Sequence, residues 1–185
     1  TAGDRIVVRI APREGAYNGA AAERRYELRF PAQMPPVKVL VNGEELSYKR
    51  FAKCGEWGYD GYTLSPIVYT DLCACDKECI VELVFDAEQM VAQPKLYGKQ
   101  GVFARCRVLT PEFKERYATS YDPYTMLPDE YMNVSQTPNF ITEYPRDVLK
   151  WIDRYEKGLT ECVPALKASK RVDDEFLHKL EVQLK

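Results

Sequence analysis

Histidine is almost missing from this chain: His178 stands alone among 185 residues. A Ser-His-Asp or Cys-His nucleophilic device would have to be built on that one side chain, and no GxSxG, P-loop or GxGxxG sequence supports one. His178 falls in a C-terminal amphipathic pattern, on the side away from Phe176 and Leu180, where a solvated helix histidine is the ordinary reading. An excess of either charge is missing too, since 26 Lys and Arg face 28 Asp and Glu for a net charge of −2. A general nucleic-acid or anionic-membrane binder needs a surplus of cations to neutralise phosphate, so composition excludes those partners. No apolar run approaches the roughly 20 residues that span a bilayer. The chain begins TAGDRIVVRI, with neither an initiator Met nor a charged-then-apolar leader, which points to a piece of a longer polypeptide.

What is present is enough apolar side chain, 45% of the total, to build a real core. The pattern over the first half has period two: Ile6, Val8 and Ile10, then Tyr26, Leu28 and Phe30, then Val37, Val39 and Val41. Asn42-Gly43 suits a type I′ turn, joining Val37–Val41 to a return strand over Glu45–Arg50. Pro35-Pro36 fixes where the first of those strands can begin. Further strands are expected over Tyr62–Thr70 and Cys79–Phe85.

Beyond Phe85 the period becomes helical. Asp86 and Gln89 read as a capping box for a short helix closed by Pro94. Pro145 suits a first helical position, followed by Val148, Ile152 and Tyr155 on one face and a stop at Gly158. Asp173 suits the N-cap of a last helix striped by Phe176, Leu180 and Leu184, with Leu177 beside it. The fold class is therefore α+β: an antiparallel β-sandwich over 1–90, then a helical segment over 91–185 with a Pro- and Tyr-rich irregular connection at about 118–144.

Two stretches could carry chemistry. In CGEWGYDGYTL, Cys54 to Leu64, the rings of Trp57, Tyr59 and Tyr62 could stack on sugars if exposed, or form the plain corner of a sheet if buried. Tyr121, Tyr124 and Tyr131 are further stacking candidates. Glu56, Asp60, Asp71 and Asp76 are available for two-carboxylate glycosidase chemistry, although turn capping or solvation suits each of them better. In CACDKEC, Cys73, Cys75 and Cys79 supply three thiols, and Cys54 or Cys106 would complete a tetrahedral zinc site. One CxC and one CxxxC depart from the usual paired CxxC knuckles, so mostly buried free thiols fit the spacing better than zinc or disulfides, and no cofactor is expected.

The first half then reads, in order, APREGAYNG, RRYELRF, PPVKVLVNGEEL, WGYDGYTLSPIVYT and CIVELVF. That order resembles the C-terminal β-sandwich domain of glycoside hydrolase family 31, the family of α-glucosidases and α-xylosidases. The matching positions are Pro12, Glu14, Gly15, Tyr17 and Gly19; Arg25, Tyr26, Leu28 and Phe30; Pro35 through Val37, Val39, Val41 through Gly43 and Leu46; and Trp57, Tyr59 and Asp60. YGKQGVFARCRVLTPEFKERY and SQTPNFITEYPRDVLKWID look like a helical tail carried by some members, whereas CACDKEC has no counterpart in the family pattern.

The resemblance implies retaining α-glycoside hydrolysis by two aspartates on a (β/α)₈ barrel. A barrel of about 250 residues does not fit in this chain. The catalytic pair is therefore expected upstream of Thr1, leaving this chain a non-catalytic accessory domain whose partner is that barrel. The alternatives are a carbohydrate-binding module using Trp57, Tyr59 and Tyr62, or a zinc- or redox-active protein centred on Cys73, Cys75 and Cys79. The excised domain would keep an apolar patch through which it could dimerise. Localisation is left open by the family, with a lean toward the extracytoplasmic side.

Overall fold

The computed structural model describes residues 4–117, 131, 134–170 and 172–185. They fall into two compact units, one of Thr1–Asp60 with Leu64–Pro94 and one of Gly61–Thr63 with Lys95–Lys185. The chain is α+β, with its strands in the N-terminal part and its long helices in the C-terminal part.

The first unit holds β1 (Arg5–Ile10), β2 (Glu23–Arg24), β3 (Glu27–Arg29), β4 (Lys38–Val41), β5 (Glu44–Glu45), β6 (Ser47–Tyr48), β7 (Glu56–Asp60), β8 (Ser65–Tyr69), β9 (Cys73–Ala74) and β10 (Cys79–Val84). One four-stranded sheet runs β1-β10-β4-β5, the other runs β3-β8-β7-β6, and β2 and β9 form a small ribbon of their own. Alternation sets the register. Along β10, Cys79, Val81 and Leu83 are buried while Ile80, Glu82 and Val84 are partly open, and Val81 lies opposite Val8 of β1 and Val41 of β4. Met34, Val39, Val68, Val81 and Leu83 are fully enclosed and form the centre of this core. Around it, the Gln93 side chain accepts from the Met34 amide at 2.9 Å and donates to the Ala32 carbonyl, closing two backbone groups that the strands leave unpaired.

The Asn-Gly hairpin forms as its residues dictate. Asn42 and Gly43 take φ angles of 52° and 85°, the two positive values that a type I′ turn requires. The return strand is shorter than expected, however. Only Glu44 and Glu45 pair with β4, and after the Leu46 amide bonds the Val39 carbonyl at 2.9 Å the chain crosses to the other sheet. There Ser47 and Tyr48 pair parallel to Glu56 and Trp57, the single parallel pairing among the described strands. Tyr48 meets Trp57 edge to face at 4.9 Å, a ring contact made across that parallel pairing.

Helix α1 (Ala87–Ala92) starts where Asp86 accepts from the Glu88 amide at 2.7 Å. The box is half made, because the side-chain oxygen of Gln89 finds no partner among the described residues. The α-helix ends at Ala92, with Pro94 just past its C-cap Gln93 as expected, and the chain continues as a 3₁₀ turn over Gln93–Leu96.

The second unit contains α2 (Lys99–Tyr117), α3 (Thr137–Glu143), a 3₁₀ turn over Pro145–Asp147, α4 (Val148–Ser169) and α5 (Asp174–Leu184). Phe103, Cys106, Leu109 and Phe113 recur at helical spacing and form the buried face of α2, which packs on α5. Phe113 stacks on Tyr131 at 4.8 Å and meets Phe176 edge to face at 5.4 Å.

Gly158 does not stop the helix after Pro145. It lies on the buried stripe Val148, Trp151, Ile152, Tyr155, Gly158, Cys162 and Leu166, so burial of that whole face carries α4 past both Gly158 and Pro164 to Lys170, whose φ of 53° makes the actual C-cap. Asp173 caps α5 as its position suggests, accepting from the Phe176 amide at 2.9 Å. Within the stretch expected to be irregular, Thr137–Glu143 is helical, and residues 118–130 and 132–133 lie outside the described residues.

Candidate functional site

The aromatic stretch becomes strand β7 and the turn after it. Trp57 is 7% exposed and Tyr59 is 2% exposed, so both rings are walls of the core, not platforms. The Tyr59 hydroxyl donates to the Gln33 carbonyl at 2.7 Å. Burial and the neighbouring Asp60 charge raise its pKa well above the ordinary phenol value.

Tyr62 belongs to the other unit, where its hydroxyl donates to Asn139 Oδ1 at 3.1 Å and the Arg107 guanidinium lies 4.7 Å from its ring centroid. Gly61 before it is required by packing: a Cβ there would overlap the Pro138 carbonyl oxygen, while the Gly61 amide donates to Thr142 Oγ1 at 2.9 Å. Trp57 and Tyr59, being buried, therefore offer no open stacking face. Tyr131 is fully buried against Phe113, and Tyr121 and Tyr124 lie outside the described residues.

Of the carboxylates near this stretch, Glu56 is taken up by local structure. Glu56 Oε2 accepts from the Lys53 amide at 2.8 Å, and Asp71 lies against Gly55, where an added Cβ would come within 2.7 Å of Oδ2. Asp76 borders an open hollow of about 320 Å³ with Arg13, Ala22, Glu23 and Ala74. The Arg13 guanidinium there bonds the Gly15 and Ala21 carbonyls at 3.2 and 2.7 Å, so its charge serves the loop backbone. A second hollow of about 200 Å³ is lined by Asn42, Glu44, Asp71 and Cys73 among others.

The cysteines divide differently from the expected three. Cys73 and Cys79 bring their sulfurs to 3.3 Å, and Cys73 Sγ also donates to the Asp71 carbonyl at 3.5 Å. Burial, followed by the hydrogen bond and charge of Cys73, pushes the Cys79 thiol up to about 12. Cys75 is held elsewhere by its backbone, its amide on the Ala22 carbonyl at 2.8 Å and its carbonyl under the Arg13 amide at 2.7 Å. Cys54 is exposed, and Cys106 is buried in α2 with its thiol raised to about 11 by burial. Among the described residues no group of three or more His, Cys, Asp and Glu is placed to hold a metal ion.

One cluster was not anticipated at all. Phe140 of α3 stacks on Trp151 of α4 at 4.8 Å and 15°, Tyr144 follows at 6.4 Å and 30°, and Arg154 lies 5.8 Å from the Phe140 and Trp151 centroids. The sequence signal for it was Trp151, which falls three residues after Val148 on the apolar stripe. The chain matches no family model, no curated protein and no solved structure.

Proposed function

We propose that this chain is a non-catalytic accessory domain of a glycoside hydrolase of the family 31 type, supporting a catalytic barrel on the same polypeptide. The observation that carries the reading is the fate of the motif residues. The ordered set falls on successive elements of one strand-built unit: Leu28 in β3 with Tyr26 and Phe30 flanking it, Val39 through Gly43 at the type I′ hairpin, and Trp57 and Tyr59 along β7. Each of those last two rings is consumed by packing, as expected of a supporting sandwich. A sugar-binding module would instead turn them outward.

The carboxylates are consistent with the same division of labour, since Glu56 serves as a backbone acceptor. Catalysis then belongs to aspartates of the barrel, and the domain contributes support to it.

The test compares three samples on nitrophenyl α-glucoside and α-xyloside: the isolated chain, the polypeptide that carries it behind a barrel, and that polypeptide cut before Thr1. Turnover by the longest form, none by the isolated chain, and a reduced yield of folded active enzyme after the cut are the expected results. Turnover by the isolated chain would refute the proposal, and so would a reading frame without a barrel.

A further inference from the structure

We propose that Cys73 and Cys79 are a disulfide-forming pair, oxidised by a small-molecule disulfide of the glutathione class, whose bond ties the β2–β9 ribbon to the first sheet. The two sulfurs already touch at 3.3 Å, and closing to the ~2 Å of a sulfur–sulfur bond takes a side-chain adjustment of roughly 1 Å. Their placement gives the bond a structural effect. Cys73 is paired with Arg24 in the ribbon, and Cys79 is paired with Ile10 at the end of β1, so two separately hydrogen-bonded assemblies of the same unit would become covalently joined. Cys75, although nearer in sequence to both, is fixed at both its amide and its carbonyl by Ala22 and Arg13.

Burial orders the steps. Cys73, at 8% exposure, is more open than Cys79 at 2%, so an external disulfide reaches Cys73 first. Cys73 loses its proton to water and attacks one sulfur of the external disulfide, breaking that S–S bond. A mixed disulfide forms and the first small thiolate leaves and takes up a proton. The Cys79 sulfur then attacks the Cys73 sulfur, its proton passing to the second departing thiolate. Two protein thiols are oxidised and one external disulfide is reduced to two thiols, so atoms and electrons balance. The attack is slow while the fold is closed, because Cys73 is buried and the external disulfide reaches it only when the ribbon opens.

The full chain is incubated with oxidised glutathione, trapped with an alkylating reagent, and mapped by fragmentation of its protease peptides. A bond between Cys73 and Cys79 is expected. A rise of about 5 °C in the unfolding midpoint should accompany it and be reversed by dithiothreitol, as loop closure in the unfolded chain requires. The same bond should form in Cys75→Ser and Cys54→Ser. A bond to Cys75 or Cys54, arrest at the mixed disulfide, or two thiols left free when oxidation proceeds under partial urea would each overturn the proposal. Mapping the wild-type protein keeps the test independent of whether Cys79→Ser folds.

Discussion

Two buried tyrosines separate packing from hydrogen bonding. Tyr59 donates to the Gln33 carbonyl, whereas the Tyr155 hydroxyl, in the core of α4, has no partner among the described residues. Removing a satisfied buried hydroxyl loses a bond and strands an acceptor, while removing an unsatisfied one relieves a desolvation cost. Tyr59→Phe should therefore destabilise by about 1–2 kcal/mol, and Tyr155→Phe should be neutral or stabilising by about 1 kcal/mol. Urea unfolding of the two variants beside the parent measures both. Equal losses would mean that a segment outside the described residues supplies Tyr155 with an acceptor. At this scale the sequence was informative wherever a local rule applies: Asn42 and Gly43 need positive φ, and they have it. It was silent on Gly61, whose need for a missing Cβ comes from Pro138 and Thr142, some eighty positions away.

Among the elements, starts were legible and continuations were not. Asp86 and Asp173 act through amides two or three residues on, so a local reading finds both caps. Gly158 and Pro164 look like stops, yet α4 runs through them because its stripe is buried on both sides of each. Nor does any local signal reveal that Ser47 and Tyr48 leave their hairpin to pair parallel with β7, since the partner is chosen by Trp57 and the other sheet.

The cap at Asp173 reaches beyond its own helix: its Oδ2 accepts from the Tyr117 hydroxyl at 2.7 Å and from Arg116 Nη2 at 2.6 Å. The hydrogen bond from Tyr117, then the Phe176 amide and the Arg116 charge, hold its carboxyl below the usual aspartate range. A depressed folded-state pKa adds stability that is present above the unfolded value and is lost as pH falls through the folded one. Asp173→Asn should therefore unfold at lower urea than the parent near neutral pH. The gap should narrow as pH falls below the usual aspartate range, where the parent carboxyl takes up its own proton. A gap that is the same at both pH values would show that side-chain geometry, and not charge, holds α2 to α5.

For the whole molecule, strand-like and helix-like periods gave the fold class directly, because burial imposes them on every strand and helix that faces a core. The candidate sites were less legible, since exposure decides between platform and packing and is a property of the assembled unit. Neither the burial of Trp57 and Tyr59 nor the pairing of Cys73 with Cys79 instead of Cys75 can be read from spacing. The same burial predicts the alkaline behaviour of the chain. Desolvation is the first cause raising the pKa of each of Tyr59, Tyr131 and Tyr155 above the phenol value, and Tyr131 and Tyr155 lie in the helical unit while Tyr59 lies in the strand unit. Below about pH 10 these phenols are protonated in both folded and unfolded chains and the stability they contribute is intact. Above it the unfolded chain ionises first, and stability falls with rising pH by about 1.4 kcal/mol per unit for each withheld phenol. Titrating upward from about pH 9, these three should ionise only as helix and strand signals are lost. Phenolate absorbance and circular dichroism recorded on the same sample measure this. Complete ionisation of all thirteen tyrosines with the circular dichroism unchanged would mean that the buried rings reach solvent without unfolding.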